Sequence, residues 1–189
     1  VPMRARLAAL GLACAVQPAA AQDLNLVYFS TEPDFAGAGW THAPLGLGAS
    51  GPIGSLELGG TFDGTPVISL TLGWRMVAGR LVATLTGGAE ITGDITPLGS
   101  LDLWWDRDAL MAAGSFEATP DYVDWRVATG WRPQEGWPWI GPEVSAADGP
   151  ARFGLHATNI PLPFGAEGRA SVAFSDIETY WELSLWRRF

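Results

Sequence analysis

From Tyr180 to Phe189 the side chains sort by parity. Trp181, Leu183, Leu185 and Phe189 fall on one set of positions, and Glu182, Ser184, Trp186 and Arg188 on the other. Successive side chains of a strand point to opposite faces, so the segment reads as a strand with one apolar and one polar edge. A bacterial outer-membrane β-barrel uses such a strand to close on itself. In that reading Trp181, Leu183, Leu185 and Phe189 are the assembly signal met by the barrel-assembly machinery, and their apolar edge faces outer-membrane lipid. The same alternation suits the last strand of a soluble sandwich, or of a periplasmic lipocalin-type binding barrel with its apolar face turned inward.

Apolar residues make up 48% of the chain. Past the first 21 residues, however, no run approaches the ~20 that a membrane helix needs. High apolar content without apolar runs requires dispersal, and strands disperse apolar residues by alternation. At the start, Arg4 and Arg6 precede the apolar stretch Leu7 to Val16, and Ala19-Ala20-Ala21 supplies a small-residue cleavage site. These are the parts of a secretory signal peptide over 1–21, leaving 22–189 as one barrel domain. Cys14, the single cysteine, lies in that leader, so the remainder offers no disulfide or thiolate metal site. Its context also suggests a lipoprotein, although Gly11 stands where a lipobox wants Leu. The net charge is −9 with no lysine, and two arginines fall in the leader. So acidic a chain is unsuited to nucleic acid.

Turn signals such as Asp63-Gly64, Ala78-Gly79, Gly93-Asp94, Asp148-Gly149-Pro150 and Gly165 divide the chain into short alternating segments. Strands are expected at 24–31, 36–44, 52–61, 65–76, 80–91, 97–106, 109–118, 122–132, 137–146, 151–160, 166–175 and 178–189. The fold class is therefore all-β, an antiparallel transmembrane up-and-down barrel. Twelve strands are expected, or ten if the two faint opening segments drop out. With both termini in the periplasm, the outward loops fall near 31–36, 62–65, 92–97, 119–121, 147–150 and 175–178, and all are short. Ile68, Leu70, Leu72 and Trp74 go to one face of their strand and Ser69, Thr71, Gly73 and Arg75 to the other. Trp40, Trp74, Trp104, Trp105, Trp131, Trp137, Trp139 and Trp181 lie near strand ends, where indoles form interfacial girdles. Trp104 and Trp186 have the parity of the lumen, where they would fill space or stack on sugars.

The polar parity assigns to the lumen Glu57, Glu90, Asp102, Asp106, Glu117, Asp124, Glu143 and Glu182, together with Arg75, Arg126, Arg132, Arg152, Arg169 and Arg188, and His156. Charges inside a narrow barrel must pair, so one reading is an ion-pair plug. The alternative is a polar path for a hydroxyl-rich polymer such as a glucan; a carboxylate pair for glycoside hydrolysis would need one pair to stand out, and none does.

Several short motifs resemble the cellulose biosynthesis protein BcsS family of alphaproteobacterial outer membranes. They are the run from Ala43 to Pro52, then Leu72-Gly73-Trp74-Arg75 and Gly87-Gly88-Ala89-Glu90. Ile140-Gly141-Pro142-Glu143, Phe153-Gly154-Leu155-His156-Ala157-Thr158 and the closing Arg187-Arg188-Phe189 follow in the same order. The resemblance implies a non-enzymatic barrel that anchors or assists cellulose export, with cellulose or its export machinery as partners. It brings no catalytic residues and no cofactor.

A different class of function rests on His156-Ala157-Thr158-Asn159, which is similar to the His-x-Ser-Asn run of outer-membrane lipid A deacylases. Thr158 would be the nucleophile and His156 its base, but both carry the lumen parity. His42 reads as an interfacial or turn residue. Two separate histidines do not make a zinc site. Loop acids such as Asp34, Asp63, Asp94, Asp148 and Asp176 could share divalent cations with lipopolysaccharide phosphates.

Overall fold

The computed structural model describes residues 24–189, so the signal-peptide reading of 1–21 lies outside the described residues. Each alternating segment is a strand: β1 (Leu24–Glu32), β2 (Phe35–Ala43), β3 (Gly51–Thr61), β4 (Pro66–Ala78), β5 (Leu81–Ile91), β6 (Ile95–Arg107), β7 (Leu110–Ala118), β8 (Val123–Trp131), β9 (Trp139–Ala147), β10 (Arg152–Pro161), β11 (Ala166–Phe174) and β12 (Thr179–Arg188). Every strand pairs with its neighbours in sequence, and β1 pairs with β12, giving a closed antiparallel barrel. The seam runs from Leu26 opposite Arg188 to Thr31 opposite Leu183. It is extended by reciprocal backbone bonds of 2.9 Å between Asn25 and Phe189. Closure leaves no open edge, the condition for sheet in hydrocarbon.

The count is twelve. The opening segments are faint in sequence because Ala36, Gly37, Ala38 and Gly39 carry little hydropathy contrast. In the barrel they are ordinary strands, paired to each other from Leu24–Ala43 to Glu32–Phe35.

Alternation sets the two faces. Leu70, Leu72 and Trp74 of β4 point outward and are more than half exposed, while Arg75 beside them is 2% exposed. The outward set continues around the wall with Leu58, Leu85, Val127, Leu155 and Leu183. A closed sheet with this much apolar surface outside and charge inside spans a membrane. The lipocalin-type reading fails here, because its apolar face would have to line the interior. Strands of 9–13 residues are long enough to cross a bilayer when tilted. No helix among the described residues is long and apolar enough to cross a membrane.

The termini lie at one end with the connections 44–50, 79–80, 108–109, 132–138 and 162–165; the last contains a 3-10 turn. At the opposite end are 33–34, 62–65, 92–94, 119–122, 148–151 and 175–178, none longer than four residues. The two longest connections, 44–50 and 132–138, are thus both at the terminal end. Outward Trp40, Trp74, Trp105, Trp131 and Trp137 belt that same end. Trp104 and Trp139, counted by position with the girdle, are instead inside, at 4% and 0% exposure. Parity overrides position: Trp139 opens β9 facing inward, and the Arg132 guanidinium lies 4.0 Å over its ring.

Candidate functional site in the barrel lumen

The interior has three zones. On the β8–β12 wall, inward parity brings Arg126 (β8), Glu143 (β9), Arg169 (β11) and Glu182 (β12) to one height. The Arg126 Nη2 is ion-paired with Glu182 Oε2 at 2.7 Å, and its Nε lies 3.6 Å from Glu143 Oε1. Arg169 pairs with Glu143 through Nη2 and lies 3.6 Å from Glu182 through Nε. The Ser184 hydroxyl donates to Glu182 Oε1 at 2.7 Å. Two cations and two anions thus neutralise each other across the wall, which is what makes their burial tolerable. Nearer the opposite end, Arg152 reaches Glu178 at 2.6 Å and lies over the Tyr180 ring. At the terminal end Arg188 reaches Glu167 at 2.7 Å, and Glu167 also accepts the Trp186 indole N–H at 2.8 Å.

His156 and Thr158 belong to this wall. The His156 Nδ1 is 2.9 Å from Thr158 Oγ1 and its Nε2 is 3.0 Å from the Thr129 carbonyl, while Arg169 Nη1 donates to Thr158 at 2.9 Å. Both residues are 2% exposed inside the barrel. Proximity alone would suit a base and its hydroxyl, but the pair is held in the ion network and faces away from the acyl chains a deacylase must attack.

The β2–β7 wall is different. It surrounds a cavity of about 80 Å³, lined by the hydroxyls of Thr41, Ser55, Ser69, Thr71, Thr84, Thr86 and Ser100, by the carboxyls of Glu57, Glu90, Asp102 and Glu117, and by apolar Phe35, Ile53, Val67 and Leu98. Some of these groups bond to one another or to nearby phenols: Thr86 to Ser100, Thr41 to Ser55, Tyr28 to Glu57 and Tyr122 to Glu117. Arg75 is the sole arginine on these strands whose side chain is buried, and it donates to the Leu47 carbonyl at 2.7 Å and to Thr84 at 3.4 Å. Asp124 is buried at the start of β8, whereas Asp106 and Arg132 sit half-buried at the terminal end.

The third zone is an apolar stopper at the terminal end, made of Leu26, Tyr28, Ile53, Val82, Trp104, Met111, Trp139 and Trp186 with Ala43 and Leu47. Parity puts Trp104 and Trp186 in the lumen but does not reveal that the other residues gather around them. Glu32, Glu167 and Glu178 were also missed as lumen or rim acids. Glu167 shares the parity of Arg169 two residues on, a signal that was available; Glu178 sits in a turn, where parity says nothing. Among the described residues, no group of three or more His, Cys, Asp or Glu is arranged to hold a metal ion.

A closed antiparallel barrel with an apolar exterior and a charged interior defines a transmembrane β-barrel. The solved structures similar to it include a KdgM porin, at TM-score 0.60 and 9% identity, covering 88% of this chain and 99% of that one. A KdgM porin in complex with disordered oligogalacturonate matches at TM-score 0.61 and 9% identity, over 88% and 99% of the two chains. A NanC porin matches at TM-score 0.51 and 6% identity, over 86% and 98%. At such identities the likeness is one of fold. No family model matches the chain, and no curated protein matches it.

The resemblance to the BcsS family is thereby overturned: the barrel's neighbours are KdgM and NanC porins. The motifs that carried it have a cause in barrel geometry. A Cβ on Gly73 would fall 2.0 Å from the Leu85 carbonyl oxygen, and one on Gly88 would fall 1.9 Å from that of Leu70. Glycine there answers a close approach of neighbouring strands, which any small barrel can demand.

Proposed function

We propose that this barrel is a non-enzymatic outer-membrane passage for small cations and neutral hydroxylated solutes. The observation that carries the reading is the division of charge inside it. The β8–β12 wall is neutralised arginine for glutamate, whereas the cavity wall presents four carboxyls and seven hydroxyls against one buried cation, Arg75. A lumen with an excess of one sign, walled by low-dielectric protein, concentrates ions of the opposite sign and repels its own. A polyanion such as the oligogalacturonate found with the KdgM porin would meet Glu57, Glu90, Asp102 and Glu117. Reconstitution in planar bilayers tests this. A KCl gradient should give a reversal potential of cation-selective sign, and Glu90→Gln with Asp102→Asn should move it toward zero. An anion-selective potential would sink the reading.

A role specific to cellulose loses its support along with the family resemblance. A glucan chain in transit needs an open bore, and this one is filled by Trp104, Trp139 and Trp186 at one end.

A further inference from the structure

The apolar stopper is built almost entirely from strands. Leu26 and Tyr28 come from β1, Ala43 from β2, Ile53 from β3, Val82 from β5, Trp104 from β6, Met111 from β7, Trp139 from β9 and Trp186 from β12. Leu47 is the exception: it belongs to the connection 44–50, yet it is 5% exposed, packed in among them. Its neighbours in the connection, Pro44, Leu45, Gly48 and Ser50, are exposed. The connection therefore dips into the barrel mouth at one side chain.

Three contacts hold it there. The buried Arg75 guanidinium, inside the lumen on β4, donates its Nε–H to the Leu47 carbonyl at 2.7 Å. Ser50 Oγ accepts the Val77 backbone N–H at 2.8 Å, from the last turn of the same strand. Gly46 takes a φ of +76° and returns its N–H to the Ala43 carbonyl at 2.9 Å, closing the bend that aims Leu47 inward. Only a glycine adopts that dihedral readily. Tyr28 and Ile53 belong to the stopper and also line the polar cavity, so cavity and stopper share a wall. Leu47 is thus the one stopper side chain supplied by a connection and not by a strand, on a seven-residue segment latched by one charged hydrogen bond.

We propose that the connection 44–50 is a lid on the terminal-end mouth, latched by Arg75, and that its withdrawal takes Leu47 out of the stopper and thins the barrier between the mouth and the cavity. Short lids of this kind move without unfolding their scaffold, because few residues change dihedral. The proposal rests on the passage reading, and two readouts separate them. The first is accessibility. With Cys14 replaced by Ser and Leu47→Cys as the reporter, folded protein in detergent is labelled with a maleimide. Adding Arg75→Gln should raise the labelling rate by about tenfold or more, the population shift expected from losing one charged hydrogen bond. Ser50→Ala, which leaves the lumen untouched, should raise it by a smaller factor and keeps the test alive if Arg75→Gln fails to fold.

The second readout is conductance with residue 47 native. Arg75→Gln or Leu47→Gly should lengthen or enlarge open events. Unchanged labelling in both latch variants overturns the lid whatever the bilayers show. Faster labelling with longer open events supports it. Faster labelling with silent bilayers for every variant overturns the passage reading, and with it the thinning of the barrier between mouth and cavity. Steady wild-type conductance that none of the variants alters overturns the lid and leaves the passage standing.

Discussion

Glu182 is 2% exposed, accepts from the Ser184 hydroxyl and is ion-paired with Arg126, with Arg169 close by. Removing one partner of a buried pair leaves a charge with no counter-ion, at a cost of about 3–5 kcal/mol. Glu182→Ala should therefore lower the denaturation midpoint of the detergent-folded barrel by an amount of that order. Adding Arg126→Leu should recover part of it, since the orphaned charge is then gone too. If the double variant were less stable than the single by the full cost of a second loss, the pair would not be acting as a unit. The pair His156 and Thr158 gives the opposite expectation. His156→Phe should leave purified protein with the same background release of acyl groups from lipid as wild type. Acyl release that depended on His156 would restore the esterase reading.

Among the elements, β4 states the rule of the wall most plainly. Leu70 is 56% exposed to what surrounds the barrel, and Ser69 beside it lines the cavity. An arginine on the lipid face near the bilayer midplane costs about 2–4 kcal/mol. Leu70→Arg should thus reduce the fraction of protein that migrates as a folded, heat-modifiable band, and Leu103→Arg on β6 should do the same. Ser69→Ala, which alters only the lumen, should not. Equal loss from both faces would mean that the exterior does not meet lipid. The irregular elements were harder to read. β10 departs from its ladder between Thr158 and Ile160, where Asn159 sits at φ +57°. No glycine marks the place, and the alternation of Thr158 with its neighbours gives no warning.

For the whole molecule the seam is decisive. Phe189 exchanges two backbone bonds with Asn25, extending the β1–β12 pairing to the chain's last residue. Deleting Phe189 removes both bonds and one lipid-facing ring that is 64% exposed. Heat modifiability of membrane-fractionated protein should then be lost or much reduced, with the chain recovered as degraded or aggregated material. Full assembly without Phe189 would show that the seam closes without its last rung.

Which residues face lipid and which face the bore was legible in the sequence, because alternation has a period of two and is settled within each strand. Turn positions followed from the same local signal, with Gly and Asp marking the joints, and so did the strands after the two faint opening segments, which left the count at ten or twelve. The interior was not legible beyond its parity. Arg126 meets Glu143 and Glu182, and Leu47 joins one cluster with Trp104, Trp139 and Trp186, only because closing the sheet and tilting its strands brings particular residues to the same height across the bore. That height depends on the stagger of all twelve strands at once. No single segment carries it, so the division of the lumen into a neutral wall, an acidic cavity and an apolar stopper belongs to the tertiary structure alone.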